Sequence, residues 1–475
     1  MTETDIDNVV LVTVDSLRAD ATGPYDDARH TPVLDGLADS GTVFEHAFAT
    51  GNWTPFSFPG ILASRPAFAD NGTIGVEESQ TLAETLSSAG IETGGFNAAN
   101  SFLTTHWGYD DGFNAFGSFV AEVGSTIYSR YLAAHPTVEG WIQLATSPFR
   151  RLSAKLRGNT DELPFLDTSR MLDVERNAQS FIEDTDEPFF LWVHFMDAHT
   201  PYVPAPRYVR EVSESRLGTH RMLLAHTRTG LGLEVNDRTL EDLRTLYQGA
   251  VRQIDASIGR LLETIETAGV DDETAVIVAG DHGEEFQDHG HLAHYPKLYD
   301  ELIHVPLIVD VPGADSQRIE SAVGLDALPP TVCDLFGIDG DETWAGDSLA
   351  SAVMDGEAPP DDPVISVAVR GDRVTSQPIP RELDDGDLLV SARSTEWTYI
   401  RNIETGEDEL YHRPSDPDQQ DDRSDDEHDG AVALARERLR PLAIAHGESL
   451  SSEGQPDDRE VDSDIERRLS ALGYK

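Results

Sequence analysis

The chain has 475 residues, with 87 Asp and Glu against 35 Lys and Arg and a formal net charge of −52. So acidic a balance argues against a nucleic-acid partner, whose binding rests on basic side chains, and a lone cysteine, Cys333, rules out an internal disulfide or a cysteine metal cluster. No stretch approaches the roughly 20 apolar residues of a membrane span, and the start "MTETDIDN" lacks the basic and apolar regions of a secretory signal, so a cytoplasmic protein without a transmembrane segment is expected.

In chain order, "NVVLVTVD" (8–15) is an apolar run ending in an acid, the pattern of a strand buried on both faces of a parallel sheet. "TLAETLSSAG" (81–90) reads as a helix closed by Gly90. Residues 117–185 break the alternation and read as an insertion or lid; their basic "FRRLSAKLRG" reads as a solvated helix face rather than as a contact for an anionic substrate. "PFFLWVHF" (188–195) resembles the first strand, and "LYQGAVRQIDASIGRLLETIETAG" (246–269) is a helix closed by Gly269. "TAVIVAGD" (274–281) and "HVPLIVDV" (304–311) read as two more buried parallel strands, and Cys333 in "PPTVCDLFGI" as a small core residue of a helix. The fold class expected is α/β, a mostly parallel central sheet with helices on both faces, over residues 1–355. From about residue 360, "VSARSTEWTYIRN" and "TGEDELYHRPSDPDQQDD" suggest a hairpin and an acidic loop in a small C-terminal α+β subdomain (360–447), followed by an acidic, partly mobile tail (448–475).

Ligands of such sheets bind outside the carboxyl ends of the strands, where Asp15, the "DAH" of 197–199, and Asp281 with His282 all fall. "GDHGE" (280–284) sets a carboxylate and an imidazole side by side on a tight turn. "GNWTPFSFPGIL" (51–62) places Thr54 before a proline, the signature of a helix N-cap, although Pro59 would cost that helix a hydrogen bond. A hydroxyl there also lies where helix N–H groups bind an anion.

Nine segments in order, among them "NVVLVTVDSLRAD", "FEHAFATGNWTPFSFPGILASRP", "VHFMDAHTPYVP", "VIVAGDHGEEFQDHG" and "KLYDELIHVPLIV", resemble the sulfatase family of the alkaline phosphatase superfamily. The resemblance implies a single divalent cation on Asp15, Asp281 and His282, with Ser16 where many sulfatases carry a second acid. An all-oxygen site suits calcium or magnesium, whereas an imidazole shifts preference toward manganese or zinc, so all four remain open. For the nucleophile two registers compete: counts from both flanks reach Thr54, while the family's Ser-x-Pro pattern selects Ser57.

Threonine cannot become the formylglycine of sulfatases. Thr54 instead resembles the nucleophile of phospho-transferring relatives such as lipoteichoic acid synthases and phosphoethanolamine transferases, whose metal set Asp15, Thr54, Asp281 and His282 reproduce. His199 matches the substrate-contacting histidine and is a candidate general acid. Lys297, in a chain with only three lysines, matches the lysine directed at the ester oxygens. His194 reads as a core residue; His289, His291 and His294 read as loop residues open to solvent, substrate or a second metal. Phe58, Ala98 and Asn100 stand where the family has Arg, Lys and His, so its basic clamp on sulfate is largely missing.

The expected activity is that of a metal-dependent hydrolase or transferase acting on a sulfate or phosphate ester through a metal-activated Thr54. The alternatives are a true sulfatase using Ser57, or a non-catalytic protein that binds an anionic glycan or lipid headgroup. The acidity resembles that of proteins from salt-loving archaea; it reads as a solvated surface that needs high salt for screening.

Overall fold

The computed structural model describes residues 6–69, 71–119, 169–185, 188–214, 217–230, 234–294, 296–370, 382–426 and 428–453. The "FRRLSAKLRG" cluster, most of the expected insertion and the tail beyond residue 453 lie outside the described residues.

The main sheet is built from β1 (Asn8–Val14), β2 (Thr42–Phe48), β3 (Glu92–Asn97), β4 (Ala115–Gly117), β5 (Phe189–Phe195) and β6 (Thr274–Gly280). After a ribbon of β7 (Glu285–Phe286) and β8 (Leu292–Ala293), it is completed by β9 (His304–Val305), β10 (Leu307–Asp310) and β11 (Gln317–Gly324). The strand order is β11-β2-β10-β6-β1-β5-β3-β4, with β9 paired to β2. β1 is central and parallel to both β5 and β6. Its residues alternate between layers, Val9 and Leu11 entering one core and Val10, Val12 and Val14 the other, which is why the run is apolar throughout.

Helices cover both faces. Thr54–Ala63 and Leu82–Ser88 pack into the core of one face, and Met171–Asp184 and Asp237–Ala268 into the other. The long helix Asp237–Ala268 starts earlier than its apolar periodicity suggests, because the Asn236 side chain accepts the Thr239 N–H as an N-cap; it ends at Gly269, whose φ of 75° few other residues adopt readily.

One strand runs against expectation. β10 is antiparallel to β6 and β2, not parallel. The chain leaves β6 at its carboxyl end and returns through the β7–β8 ribbon and the short helix Asp300–Ile303, with no long crossover to carry it to the far edge. β3 was hidden by its glycines. A Cβ on Gly94 would lie 2.9 Å from the Phe181 ring, and one on Gly95 would lie 3.0 Å from the Phe113 ring, so the strand trades side chains for close aromatic packing.

The C-terminal subdomain is an antiparallel sheet of β12 (Val364–Arg370), β13 (Asp387–Arg393), β14 (Trp397–Asn402) and β15 (Asp408–His412). Helix Gly430–Glu453 packs on β13 and β14 and carries helical structure past residue 448, where a mobile tail was expected. Asp300 joins this sheet to the main domain: Arg413 Nε donates to its Oδ2 at 2.8 Å and Arg393 Nε lies 3.5 Å from its Oδ1. No helix among the described residues is long and apolar enough to cross a membrane.

Candidate active site

Register builds the site. Val14 pairs with Gly280 in the parallel β1–β6 ladder, so the residues that follow, Asp15 and Asp281, emerge side by side at the carboxyl edge. The Asp15 N–H donates to the Phe195 carbonyl (2.8 Å) and the Asp281 N–H to the Val14 carbonyl (3.1 Å), extending the ladders by one rung. The next residue, Ser16, turns the chain with φ of 60°. The glycines of "GDHG" are required by close approach: a Cβ on Gly280 would stand 2.4 Å from the Leu17 carbonyl oxygen, and one on Gly283 would stand 2.0 Å from that of Glu301.

Asp15, Asp281 and His282 present ligand atoms that all lie within 4.8 Å of one another, and all three residues are buried. His282 Nδ1 lies 2.8 Å from the Gly283 carbonyl oxygen, which fixes the proton there and leaves Nε2 facing Asp15 Oδ1 (3.5 Å) and Asp281 Oδ2 (3.7 Å). Burial, then the charge of Asp15, raises the Asp281 carboxyl well above its ordinary range. Asp15 is held low: burial opposes its charge, but the imidazoles of His199, His194 and His282 outweigh it. Burial pushes His282 down, toward the neutral form that ligates metals. Asp281 Oδ2 is buried without a hydrogen-bond partner. Two adjacent carboxylates, an oriented imidazole and an orphaned oxygen fit a divalent cation, since such an ion lets both acids stay charged.

Ser16 does not act as the missing second acid. Its N–H donates to Asp281 Oδ1 (3.1 Å) and its hydroxyl to Asp15 Oδ1 (3.1 Å), steadying both carboxylates. Tyr247, on the long helix, ties the turn from below, donating its hydroxyl to the Ser16 carbonyl (2.8 Å) and accepting the Arg18 N–H (3.0 Å).

Thr54 is the first residue of the helix Thr54–Ala63 and not the N-cap its proline suggested: the cap position falls to Trp53, whose side chain makes no cap hydrogen bond. Thr54 Oγ1 lies 3.4 Å from Asp15 Oδ2 and 3.4 Å from Asn100 Nδ2. Ser57, a turn further on, is fully buried and donates its hydroxyl to the Asp281 carbonyl at 2.6 Å. Phe58 lies in the core against Trp192 and His194, with ring centroids 5.6 and 5.0 Å away.

Three residues matter more than the sequence suggested. Asn100 Nδ2 donates to Asp15 Oδ2 (3.1 Å), its amide held the right way round by the Phe102 N–H at Oδ1 (3.0 Å). His194 is wholly buried but is not only a packing residue, because its Nε2 lies 3.8 Å from Asp15 Oδ2. His294 is only 7% exposed, and its Nε2 lies 3.2 Å from His199 Nε2. The pairing of "LAHY" with "DAHT" across 95 residues left no local signal.

The other predicted residues are placed differently. Asp197 is structural, accepting from Ser169 Oγ (2.6 Å) and Gln253 Nε2 (3.0 Å). Lys297 donates to the His289 carbonyl at 3.0 Å and lies 5.1 Å from the Tyr299 ring centroid; these contacts belong to the neighbouring loop, not to the carboxylate cluster. His289 stacks on Tyr299 at 3.7 Å and pairs with Glu301, while the half-buried His291 donates its N–H to Glu285.

The sulfatase family profile matches residues 7–338. Among curated proteins, an endo-4-O-sulfatase of Bacteroides thetaiotaomicron is 27% identical over 175 residues, covering 36% of this chain and 32% of that protein. The matched stretches span between 21% and 51% of the length of the curated relatives. Among solved structures, a phosphonate monoester hydrolase of Agrobacterium radiobacter superposes with a TM-score of 0.68 at 17% identity, over 95% of this chain and 100% of that one. One from Silicibacter pomeroyi gives 0.67 at 20% identity, over 93% and 95% of the two chains. These structures share the fold, and with the profile spanning more than half of its length, the chain belongs to the sulfatase family.

Proposed function

We propose that the chain cleaves or transfers a sulfate or phosphate ester, with the Thr54 hydroxyl attacking in line beside one divalent cation (manganese, zinc, magnesium or calcium) held by Asp15, Thr54, Asp281 and His282. One contrast carries this reading: Thr54 Oγ1 faces Asp15 at 3.4 Å on the edge of the cluster, whereas the Ser57 hydroxyl is committed to a main-chain carbonyl at 2.6 Å. Sulfatase and phosphonate monoester hydrolase relatives support the ester class. When bound, the cation would lower the pKa of the attacking hydroxyl and neutralise charge on the ester oxygens.

The chain's own residues prepare the attack. Asn100 donates to both Asp15 Oδ2 and Thr54 Oγ1 and so orients the hydroxyl before substrate arrives. Attack by Oγ1, its proton passing along the contact to Asp15 Oδ2 and on to solvent, forms a threonyl ester with sulfur or phosphorus and expels the alcohol oxygen on the opposite side. His199 is assigned to that leaving oxygen as its proton donor. Lys297 is assigned to the remaining ester oxygens, which it would reach by releasing the His289 carbonyl. Water or an acceptor alcohol then takes the group from Thr54; formylglycine chemistry plays no part.

The test is metal-dependent nitrophenol release from an aryl sulfate, an aryl phosphate and an aryl phosphodiester in molar KCl. Thr54→Ala should abolish release and Ser57→Ala should keep it; the reverse moves the nucleophile to Ser57. Binding of sulfated glycans or anionic headgroups without turnover by the wild type would favour the non-catalytic reading. Phe58 in the core and a fully buried Ala98, where a basic clamp would stand, lend that reading its support.

A further inference from the structure

The C-terminal sheet reaches the candidate active site through one strand. β12 runs parallel to the segment that leads into the helix Thr54–Ala63: Val367 bridges Gly51, its N–H donates to the Thr50 carbonyl (2.9 Å), and Ser366 Oγ donates to the Ala49 carbonyl (2.7 Å). Three residues beyond that bridge stand Thr54 on one segment and Arg370, the last residue of β12, on the other. Both segments run the same way, so they deliver a hydroxyl and a guanidinium to the same end of the crevice.

Strand periodicity sets which way Arg370 points. Val367 and Val369 enter the core that holds Trp53 and Phe56, whereas Val364 and Ala368 pack with Leu298, Leu302 and Tyr299. Arg370 falls on the second face, beside the segment that begins at Lys297. The charges agree: burial pushes the Lys297 ammonium down against Glu285, Glu301 and Glu409, and Arg370 adds to the push; burial and then Lys297 push His291 down, again with Arg370 adding. The nearby acids are engaged elsewhere. Glu285 is wholly buried and accepts the N–H groups of His289 (2.9 Å) and His291 (2.8 Å), Glu301 pairs with His289 Nδ1 (2.6 Å), and Glu409 accepts the Tyr299 and Tyr411 hydroxyls (2.8 Å each). Asp387, opposite Arg370 in the β12–β13 ladder, accepts the Asn402 amide at 3.2 Å. What reaches the rim is therefore cationic, in a chain whose net charge is −52.

We propose that Arg370 is a specificity-determining residue: it binds a second anionic group, a carboxylate or a sulfate, on the alcohol part of the ester that Thr54 attacks. The proposal rests on the ester reading above and narrows its substrate to a molecule with a negative group besides the one cleaved. Depth separates the two anions. Thr54 is 5% exposed, whereas Arg370 is exposed at the end of its strand. Lys297 is assigned to the ester oxygens, which leaves the guanidinium beside it for the next anion, and its fork matches a carboxylate or a sulfate with two parallel hydrogen bonds. With Phe58 and Ala98 buried where a clamp on the ester would stand, the chain carries its positive charge at the rim instead of the floor.

The test is calorimetric titration of the full-length chain with three disaccharides: one with a single sulfate, one with a sulfate and a uronate carboxylate, and one with two sulfates. Thr54→Ala suppresses turnover, manganese is present throughout, and one KCl concentration at which circular dichroism shows a folded chain serves every variant. At least one doubly charged sugar should bind about 10-fold or more tightly than the singly charged one, and which of the two does so identifies the second anion. Arg370→Gln should bring that ratio close to one, and Arg370→Lys, which keeps the charge but not the fork, should restore part of it. The ratio is insensitive to a general loss of structure, and melting temperatures establish that each variant is folded. No measurable binding of either doubly charged sugar, a ratio near one with Arg370 in place, or a ratio unchanged in Arg370→Gln overturns the subsite. Nitrophenol release by the chain with Thr54 intact reports the ester reading separately: release from an aryl ester without an Arg370-dependent ratio leaves that reading standing and removes only the subsite, whereas an Arg370-dependent ratio without release from any ester keeps the subsite and removes the catalytic reading.

Discussion

The carboxyl edge of the main sheet and its joint with the C-terminal sheet both hide acids from water, and they treat the charge in opposite ways. At the joint, Asp300 is 14% exposed and lies against the buried guanidiniums of Arg393 and Arg413, with Gln419 Nε2 donating to its Oδ1 at 3.0 Å. Burial pushes its carboxyl up, but Arg413 and Arg393 overcome this and bring it to about 2. At the sheet edge, Asp281 has Asp15 for a neighbour, its Oδ1 accepts the main-chain N–H groups of Ser16 (3.1 Å) and His282 (2.7 Å), and its Oδ2 has no hydrogen-bond partner. The acid at the joint is completed by the fold, whereas the acid at the edge keeps a buried oxygen without a partner, the feature on which the proposed metal site rests.

The widest break of this contrast is salt. With 87 acids against 35 bases, most carboxylates have no basic side chain to meet, and their repulsion depends on counterions. Lowering KCl from molar to millimolar should unfold the chain, seen as loss of far-ultraviolet circular dichroism; a melting temperature indifferent to KCl would show that the acidic surface needs no screening.

Next in size is the nucleophile. Thr54→Ala should cost roughly 10³-fold or more in turnover, while Ser57→Ala, which loses a bond to a main-chain carbonyl, should stay within about 10-fold. Nitrophenol release under saturating metal reads both.

The two acids can then be set against each other. Asp300→Asn leaves two buried guanidiniums short of charge and should cost about 3 kcal/mol in denaturant unfolding while sparing the metal. Asp281→Asn should remove the metal and leave the metal-free protein as stable as before or more so, because it relieves a like-charge contact. If both variants lose stability equally, the distinction between completed and incomplete acids fails.

The smallest effect is the pH window of Asp300. Its folded value lies below its ordinary 3.8, so its contribution is present above about pH 4 and is lost as pH falls toward about 2. The size is about 2 kcal/mol by linkage. Acid titration of unfolding free energy should show this step in the wild type and lack it in Asp300→Asn.

The strands that end at Asp15 and Asp281, the proposed metal ligands, were legible because a run buried on both faces must be apolar, and an acid at its end stands out. Their neighbourhood was not, since β1 and β6 are joined by a register that only the folded sheet fixes. β10 looked like its parallel neighbours because burial, not direction, sets its composition. Thr54 was legible as a choice between two hydroxyls, and the rival bonds of Ser57 and Thr54 appear only when Asp281 and Asp15 are brought alongside. Asn100 looked like a loss measured against the family's histidine, yet it reaches Asp15 from 85 residues away.

Tyr247 sits about a third of the way along the helix Asp237–Ala268, and the same helix also sends Gln253 to Asp197 (3.0 Å) and Arg244 to the Phe286 carbonyl (2.9 Å). Three loops that rim the crevice thus hang from one rigid rod. A shift of that rod, by a ligand at its far side or a substitution along its length, would displace all three in concert, so their fine alignment is adjustable from a distance but not one loop at a time.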